Sequence, residues 1–186
     1  MSSLKRFGGN MRAIIAGWLS LFLVAPAFAQ PVLKPALQPL AFLVGSWDSG
    51  EGKVADTGGT SKGGSVFTVE SDGAAILRRD HTELFDKAGH PSGGFHQTML
   101  IYSDNDRLKA DYVDGEGHAI HYAAVKMVAG KSVTFMGVND ARDRGPTFKL
   151  TYDMKAPGML AVDFGMTPPG GSEFHAIATG TLKRAK

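Results

Sequence analysis

The sequence predicts an all-β protein: a single antiparallel up-and-down barrel of about ten strands, preceded by a short helical turn. Three observations carry this. From Gly45 onward, short runs of alternating apolar and polar residues are punctuated by Gly, Asp, Asn and Pro clusters. No segment beyond Leu43 has the helical periodicity needed to cover a sheet face. A meander of that many strands leaves unpaired edges unless it closes on itself. A two-sheet sandwich is the alternative, but it fills its interior by interdigitation, whereas a barrel of this size leaves a lumen that inward polar residues would betray.

Residues 1–29 have the pattern of a secretory signal peptide. Lys5, Arg6 and Arg12 precede an apolar run from Ala13 to Val24, which is shorter than the ~20 residues needed to span a bilayer. Ala27-Phe28-Ala29 offers the small residues a signal peptidase requires, so cleavage is expected before Gln30, whether translation starts at Met1 or at Met11. Residues 30–39, with three prolines, read as an extended lead-in, with a helical turn through Leu37, Leu40 and Leu43. Residues 40–186 form the barrel domain. Its strands centre on Trp47–Val54, Gly64–Glu70, Ala75–Phe85, Phe95–Tyr102, Arg107–Val113, His118–Met127, Ser132–Val138, Phe148–Met154, Leu160–Met166 and Phe174–Leu182.

Composition narrows the function classes. With no cysteine the chain has neither a lipobox anchor nor a disulfide, so a periplasmic or secreted protein without a stable membrane anchor is expected. The leader holds three basic residues and no acid, so the mature chain carries 17 basic against 18 acidic residues, a net −1 with His neutral. That balance gives no electrostatic case for nucleic acid. There is no Gly-x-Ser-x-Gly elbow, cysteine nucleophile or phosphate-cradling loop. Cofactor-free isomerase or lyase chemistry would have to use His121 with Tyr112, or His81 with Glu83.

Side-chain parity picks out the candidate site. His118 and His121, three apart in a strand, point to opposite faces and cannot share an ion, so no metal site is assigned. If Asp114-Gly115-Glu116-Gly117 is a four-residue loop, Tyr112 pairs with Ala119 and Ala110 with His121. A two-residue Asn105-Asp106 turn pairs Met99 with Tyr112 and Ile101 with Ala110. The more apolar face then carries Gln97, Met99, Tyr112 and His121 inward. The third strand puts an arginine and an acid on each face, either Arg79, His81 and Glu83 or Arg78 and Asp80. The first set is assigned to the ligand site. Burying such charges points to a pocket rather than a packed core.

Leu40-Ala41-Phe42-Leu43-Val44-Gly45-Ser46-Trp47, followed by Gly50-Glu51-Gly52, resembles the opening of calycin (lipocalin-like) barrels, where an aliphatic turn leads through Gly-x-Trp into the first strand. It is similar in particular to the nitrobindin-like haem barrels and to uncharacterised exported relatives. The resemblance implies a Trp packed at the closed end, here Trp47, and a haem-ligating His on the last strand, here His175, with Arg184 downstream. Alternation puts Phe174, Ala176 and Ala178 on the more apolar face and His175 on the other. His121 is the other candidate axial ligand.

The expectation is an exported barrel that holds a small hydrophobic or amphipathic molecule, with or without an anionic group met by Arg78 or Arg79. Haem binding is the alternative and cofactor-free catalysis the third reading. Export is tested by N-terminal sequencing of the protein recovered from the periplasm of an expressing host. The first residue is expected to be Gln30, and a chain still carrying residues 1–29 would overturn it.

Overall fold

A computed structural model describes residues 31–55, 57–138 and 145–186. The leader and residues 139–144, the charged stretch that the sequence suggests as a solvated rim loop, lie outside the described residues. The chain forms a 3-10 helix, Pro35–Leu43, and ten strands: β1 (Gly45–Val54), β2 (Gly59–Glu70), β3 (Ala75–Phe85), β4 (Pro91–Asp104), β5 (Arg107–Asp114), β6 (Ala119–Val128), β7 (Ser132–Gly137), β8 (Thr147–Ala156), β9 (Met159–Thr167) and β10 (His175–Arg184). Each strand pairs antiparallel with its neighbour in sequence, and β1 pairs with β10 to close the barrel. Among the described residues no helix is long and apolar enough to cross a membrane.

The lead-in is more ordered than its prolines suggest. Pro35 sits at the start of the helix, where a missing N–H costs nothing, so residues 35–39 are helical rather than extended. With three residues per turn, Leu37, Leu40 and Leu43 stack on one ridge, and all three are fully buried. That ridge plugs one end of the barrel against Trp47, Ile76, Ile101, Val133, Leu160 and Leu182. Backbone bonds from Gly130 N–H to Pro39 O (2.9 Å) and from Lys34 N–H to Gly73 O (2.9 Å) pin the plug to the loops at that end.

Gly-x-Trp has a physical reason here. The Trp47 indole N–H donates to Leu43 O (2.7 Å). Arg184, at the end of β10, lays its guanidinium over the Trp47 ring, 4.4 Å from the centroid. The same guanidinium donates to Val44 O (2.9 Å) and Phe42 O (3.2 Å), the orphan carbonyls at the end of the plug helix. Gly45 lies beneath it at φ +124°, where a Cβ would overlap the guanidinium. One arginine thus joins the helix end, the first strand and the last.

Turn chemistry sets the strand phases. Asn105 and Asp106 both take positive φ (50° and 60°) in a two-residue turn that pairs Asp104 with Arg107, Met99 with Tyr112 and Ile101 with Ala110. The next hairpin differs from expectation by one residue. Gly117 adopts φ +90°, the left-handed residue that closes a three-residue loop over 115–117. Asp114 N–H then bonds His118 O (3.2 Å), and Tyr112 pairs with Ile120, Asp111 with His121 and Ala110 with Tyr122. A one-residue change of register reverses every side chain on β6, so Tyr122 points inward and His121 outward.

Gly45→Ala is expected to lower the unfolding free energy by roughly 1–3 kcal/mol through its dihedral and the displaced guanidinium. In an Arg184→Met background the same substitution is expected to cost less, because only the dihedral remains. Equal losses in urea denaturation of both backgrounds would show that Arg184 plays no part.

Candidate functional site

Above the plugged end the lumen opens into a cavity of about 460 Å³. Much of its wall is apolar, with Leu84, Phe95, Ile120, Leu150, Val162 and Phe164. Phe148 stacks on Phe164 (ring centroids 5.7 Å apart, 11° between planes) as one panel of that wall. β1, β2 and β10 contribute Gly52, Gly63 and Gly180, whose lack of side chains leaves space in the lumen. The barrel's other end is the mouth, where β1, β3, β5, β7 and β9 end.

A charged network lies inside this apolar cylinder. β3 turns Arg78 and Asp80 inward, because Arg78 pairs with inward Met99 and Asp80 with inward Gln97 on β4. Both charged residues are buried, at 9% and 7% exposure. Arg78 Nε donates to Asp80 Oδ1 (2.8 Å), and Nη2 donates to Asp80 Oδ2 and to Gln97 Oε1 (3.3 Å). Nη1 crosses the lumen to Tyr152 Oη on β8 (2.5 Å) and lies 3.9 Å from Met99 Sδ. A guanidinium has five N–H groups, and these acceptors engage all of them.

The network continues toward the mouth. Gln97 Nε2 donates to Tyr112 Oη (2.8 Å), whose hydroxyl donates to Asp114 Oδ2 (3.1 Å). Asp114 Oδ1 accepts the backbone N–H groups of Glu116 and His118 (3.0 Å each), and His118 Nδ1 lies 3.0 Å from Asp114 Oδ2. Burial pushes the Asp114 carboxyl up, but the bonds from His118, Tyr112 and Glu116 outweigh it and hold the group below its ordinary value. Burial raises all three inward phenols. Tyr152 is pushed up to about 12. Tyr112 lies well above its ordinary value, raised further by the Asp114 charge. Tyr122 also lies well above it, with Arg78 pulling back. All three are neutral at physiological pH. The Tyr122 hydroxyl has no hydrogen-bond partner among the described residues.

The residues singled out from the sequence divide cleanly. Gln97 and Tyr112 line the cavity, and Met99, fully buried, faces inward beneath it. His121 does not face inward. It is exposed on the outer wall with Nδ1 2.6 Å from Asp111 Oδ1, the consequence of the three-residue loop. Arg79, His81 and Glu83 are exposed on the other phase of β3, because the β3–β4 register gives the inward face to Arg78 and Asp80, and of the three only His81 borders the cavity. The His81 ring packs on His96 (centroids 4.9 Å apart) at the edge of the mouth, 3.4 Å from Glu83 Oε1. Neither pair considered for cofactor-free catalysis forms in the lumen: Tyr112 and His121 lie on opposite faces, and His81 and Glu83 meet outside. Asp114, Glu116 and His118 bring ligand atoms within 4.8 Å of one another at the mouth. Their mutual bonds are those that close the β5–β6 turn.

Neither histidine named for the haem that the family resemblance implied lines the cavity. His175 opens β10 in an exposed position opposite Met166 and does not line the cavity, and His121 is on the outer wall. Arg78, Asp80, Tyr122 and Tyr152 are among the inward polar residues outside the assigned set. The alternation on β3 already offered the first two as the other face.

No family model and no curated protein matches the chain. Among solved structures it is similar in shape to a de novo designed fluorescence-activating β-barrel, at 12% identity and a TM-score of 0.41 over 80% of this chain and 98% of that one. It is also similar to EF1p2_mFAP2b bound to DFHBI, at 14% identity and a TM-score of 0.36 over 80% and 98%. A third is a protein of unknown function from the DUF3598 family of Nostoc punctiforme, at 10% identity and a TM-score of 0.28 over 82% and 100%. These likenesses concern strand architecture alone.

A carboxyl held below its ordinary 3.8 stabilises the fold above that pH and loses the contribution as pH falls toward the folded value. Asp114→Ala is therefore expected to be less stable than wild type at pH 7 by about 1 kcal/mol. The gap should narrow below pH 3.8 in thermal melts across the acid range. A gap independent of pH would mean that the Asp114 charge contributes nothing.

Proposed function

We propose that this protein is a small-molecule binder that takes up one largely apolar guest in its lumen, and that it does so outside the cytoplasm after loss of residues 1–29. The cavity of about 460 Å³ carries the reading. Its size falls within the roughly 300–1,000 Å³ of small-ligand sites. It has apolar walls and an open mouth, and the charges at its base are already paired. A packed barrel core has no such void at native density. The pattern of a charged start, an apolar run and a small-residue end supports the location.

Gly180 provides the test. It faces inward opposite Val162, and a Cβ built there meets nothing closer than Gly52 Cα at 3.7 Å. Gly180→Leu should therefore project into the cavity without disturbing the wall. Binding of N-phenyl-1-naphthylamine (NPN), a neutral fluorophore, is expected to weaken at least about tenfold while the melting temperature stays within a few degrees. Unchanged binding by a folded Gly180→Leu protein would place the site elsewhere. A Soret band on haem titration that disappears in His175→Ala would restore the haem reading.

A further inference from the structure

We propose that the cavity selects a neutral guest with one hydrogen-bonding head, which Tyr122 receives, and that Asp80 is the residue that turns carboxylates away. The inference rests on the lumen being a binding site and names the class of molecule it takes.

An arginine in a ligand cavity ordinarily invites an anion, since its fork matches a carboxylate. Here the fork is already filled. Asp80 engages Arg78 through both carboxylate oxygens, and Gln97, Tyr152 and Met99 take what remains. Asp80 thus occupies the place a ligand carboxylate would need. A guest anion could reach Arg78 only by displacing a buried carboxylate, leaving two negative charges around one positive charge in a poorly solvated space. The other arginine of β3, Arg79, is exposed on the outer wall and offers no alternative. Nor does the mouth aim a cation into the lumen, since His118 Nδ1 sits 3.0 Å from Asp114 Oδ2, and Lys62, opposite Glu83 on the outward phase of β2, holds its Nζ 5.5 Å from the centroid of the Phe85 ring.

Two polar groups of the lining have no partner among the described residues: Ser49 Oγ, which is sealed inside the wall, and the Tyr122 hydroxyl, which opens on the cavity. Tyr122 is 3% exposed and lines the cavity, yet its hydroxyl finds no partner among the described residues. Because this hydroxyl is reachable from the cavity, a guest hydroxyl, carbonyl or ether oxygen can bond to it there, whereas a guest without such a group would cover it and leave it unpaired. The guest's apolar body would then lie along Ile120, Phe148 and Phe164 toward the mouth.

The experiment displaces bound NPN with two ligands of equal chain length at pH 7.5, 1-decanol and decanoate, with thermal melts of every variant. Wild type is expected to favour decanol at least about tenfold. Tyr122→Phe should weaken decanol severalfold and leave NPN unchanged. Asp80→Asn, which frees the Arg78 fork while keeping the shape, should gain at least about tenfold for decanoate. If Asp80→Asn does not fold, the wild-type ratio and Tyr122→Phe decide alone. Equal affinity of wild type for both ligands overturns the proposal, as does a folded Asp80→Asn protein with no gain for decanoate or a Tyr122→Phe protein with undiminished affinity for decanol. These outcomes leave the binding reading intact. Failure of NPN, decanol and decanoate all to bind wild type would instead sink the binding reading itself.

Discussion

A guanidinium in the middle of an apolar cylinder is the constraint on which the rest of the interior depends. Moving a charge out of water costs several kcal/mol even after relaxation, and the cost is offset only when every donor has a partner. Arg78 meets that condition through residues on three strands. Asp80 lies on its own β3, Gln97 and Met99 on β4, and Tyr152 reaches from β8 across the lumen. Because β3 and β8 are on opposite sides of the closed order, the Arg78–Tyr152 bond is a strut through the barrel. Below it the leucines of the plug, Trp47 and Phe67 form the buried core, and above it the wall stands open.

The two ends of the barrel follow from different local chemistry. At the closed end a single arginine, Arg184, satisfies the last carbonyls of the plug helix and stacks on Trp47, so the chain's first and last barrel strands are fastened at one point. At the mouth the β5–β6 turn is organised by Asp114, which links the loop backbone to the Tyr112 hydroxyl. Between them the hydrogen bonds run continuously from Tyr152 through Arg78, Gln97 and Tyr112 to Asp114. Gly52, Gly63 and Gly180 line the same lumen and leave it open, since a larger residue at Gly180 would occupy it.

Much of the fold was legible because its signals are local. All ten strands lie where alternation and turn residues place them, and the Asn105-Asp106 turn fixes the β4–β5 register unambiguously, bringing Gln97, Met99 and Tyr112 inward. The site was less legible because inward phase is a parity, and parity is lost with one residue. Asp114-Gly115-Glu116-Gly117 admits a loop of three or of four. The left-handed Gly117 selects three, which exchanges His121 for Tyr122. The β3 alternation showed that an arginine and an acid must enter the lumen together, but which pair does so depends on the β3–β4 register, and the 86–90 loop gives no turn signature strong enough to set it. On β10 a bulge between Ala176 and Ala178 breaks the alternation that would relate His175 to the residues deeper in the wall.

Preorganisation is the remaining step. A lumen whose charges waited for a ligand to neutralise them would be unstable when empty and would close or fill with protein side chains. Here the ionic and hydrogen-bonded groups complete one another within the chain, so the wall keeps its shape before a guest arrives, and binding need not include the cost of ordering it. What the guest then contributes is mainly burial of its apolar surface, about 25 cal/mol per Å². Its contacts with Phe148, Phe164, Ile120 and Val162 are non-directional. Discrimination between guests of similar size therefore falls to the few polar atoms of the lumen, where a buried group left unpaired costs more than an apolar contact returns. An interior balanced in this way reads molecules by charge and by head group far more sharply than by the detailed shape of their tails.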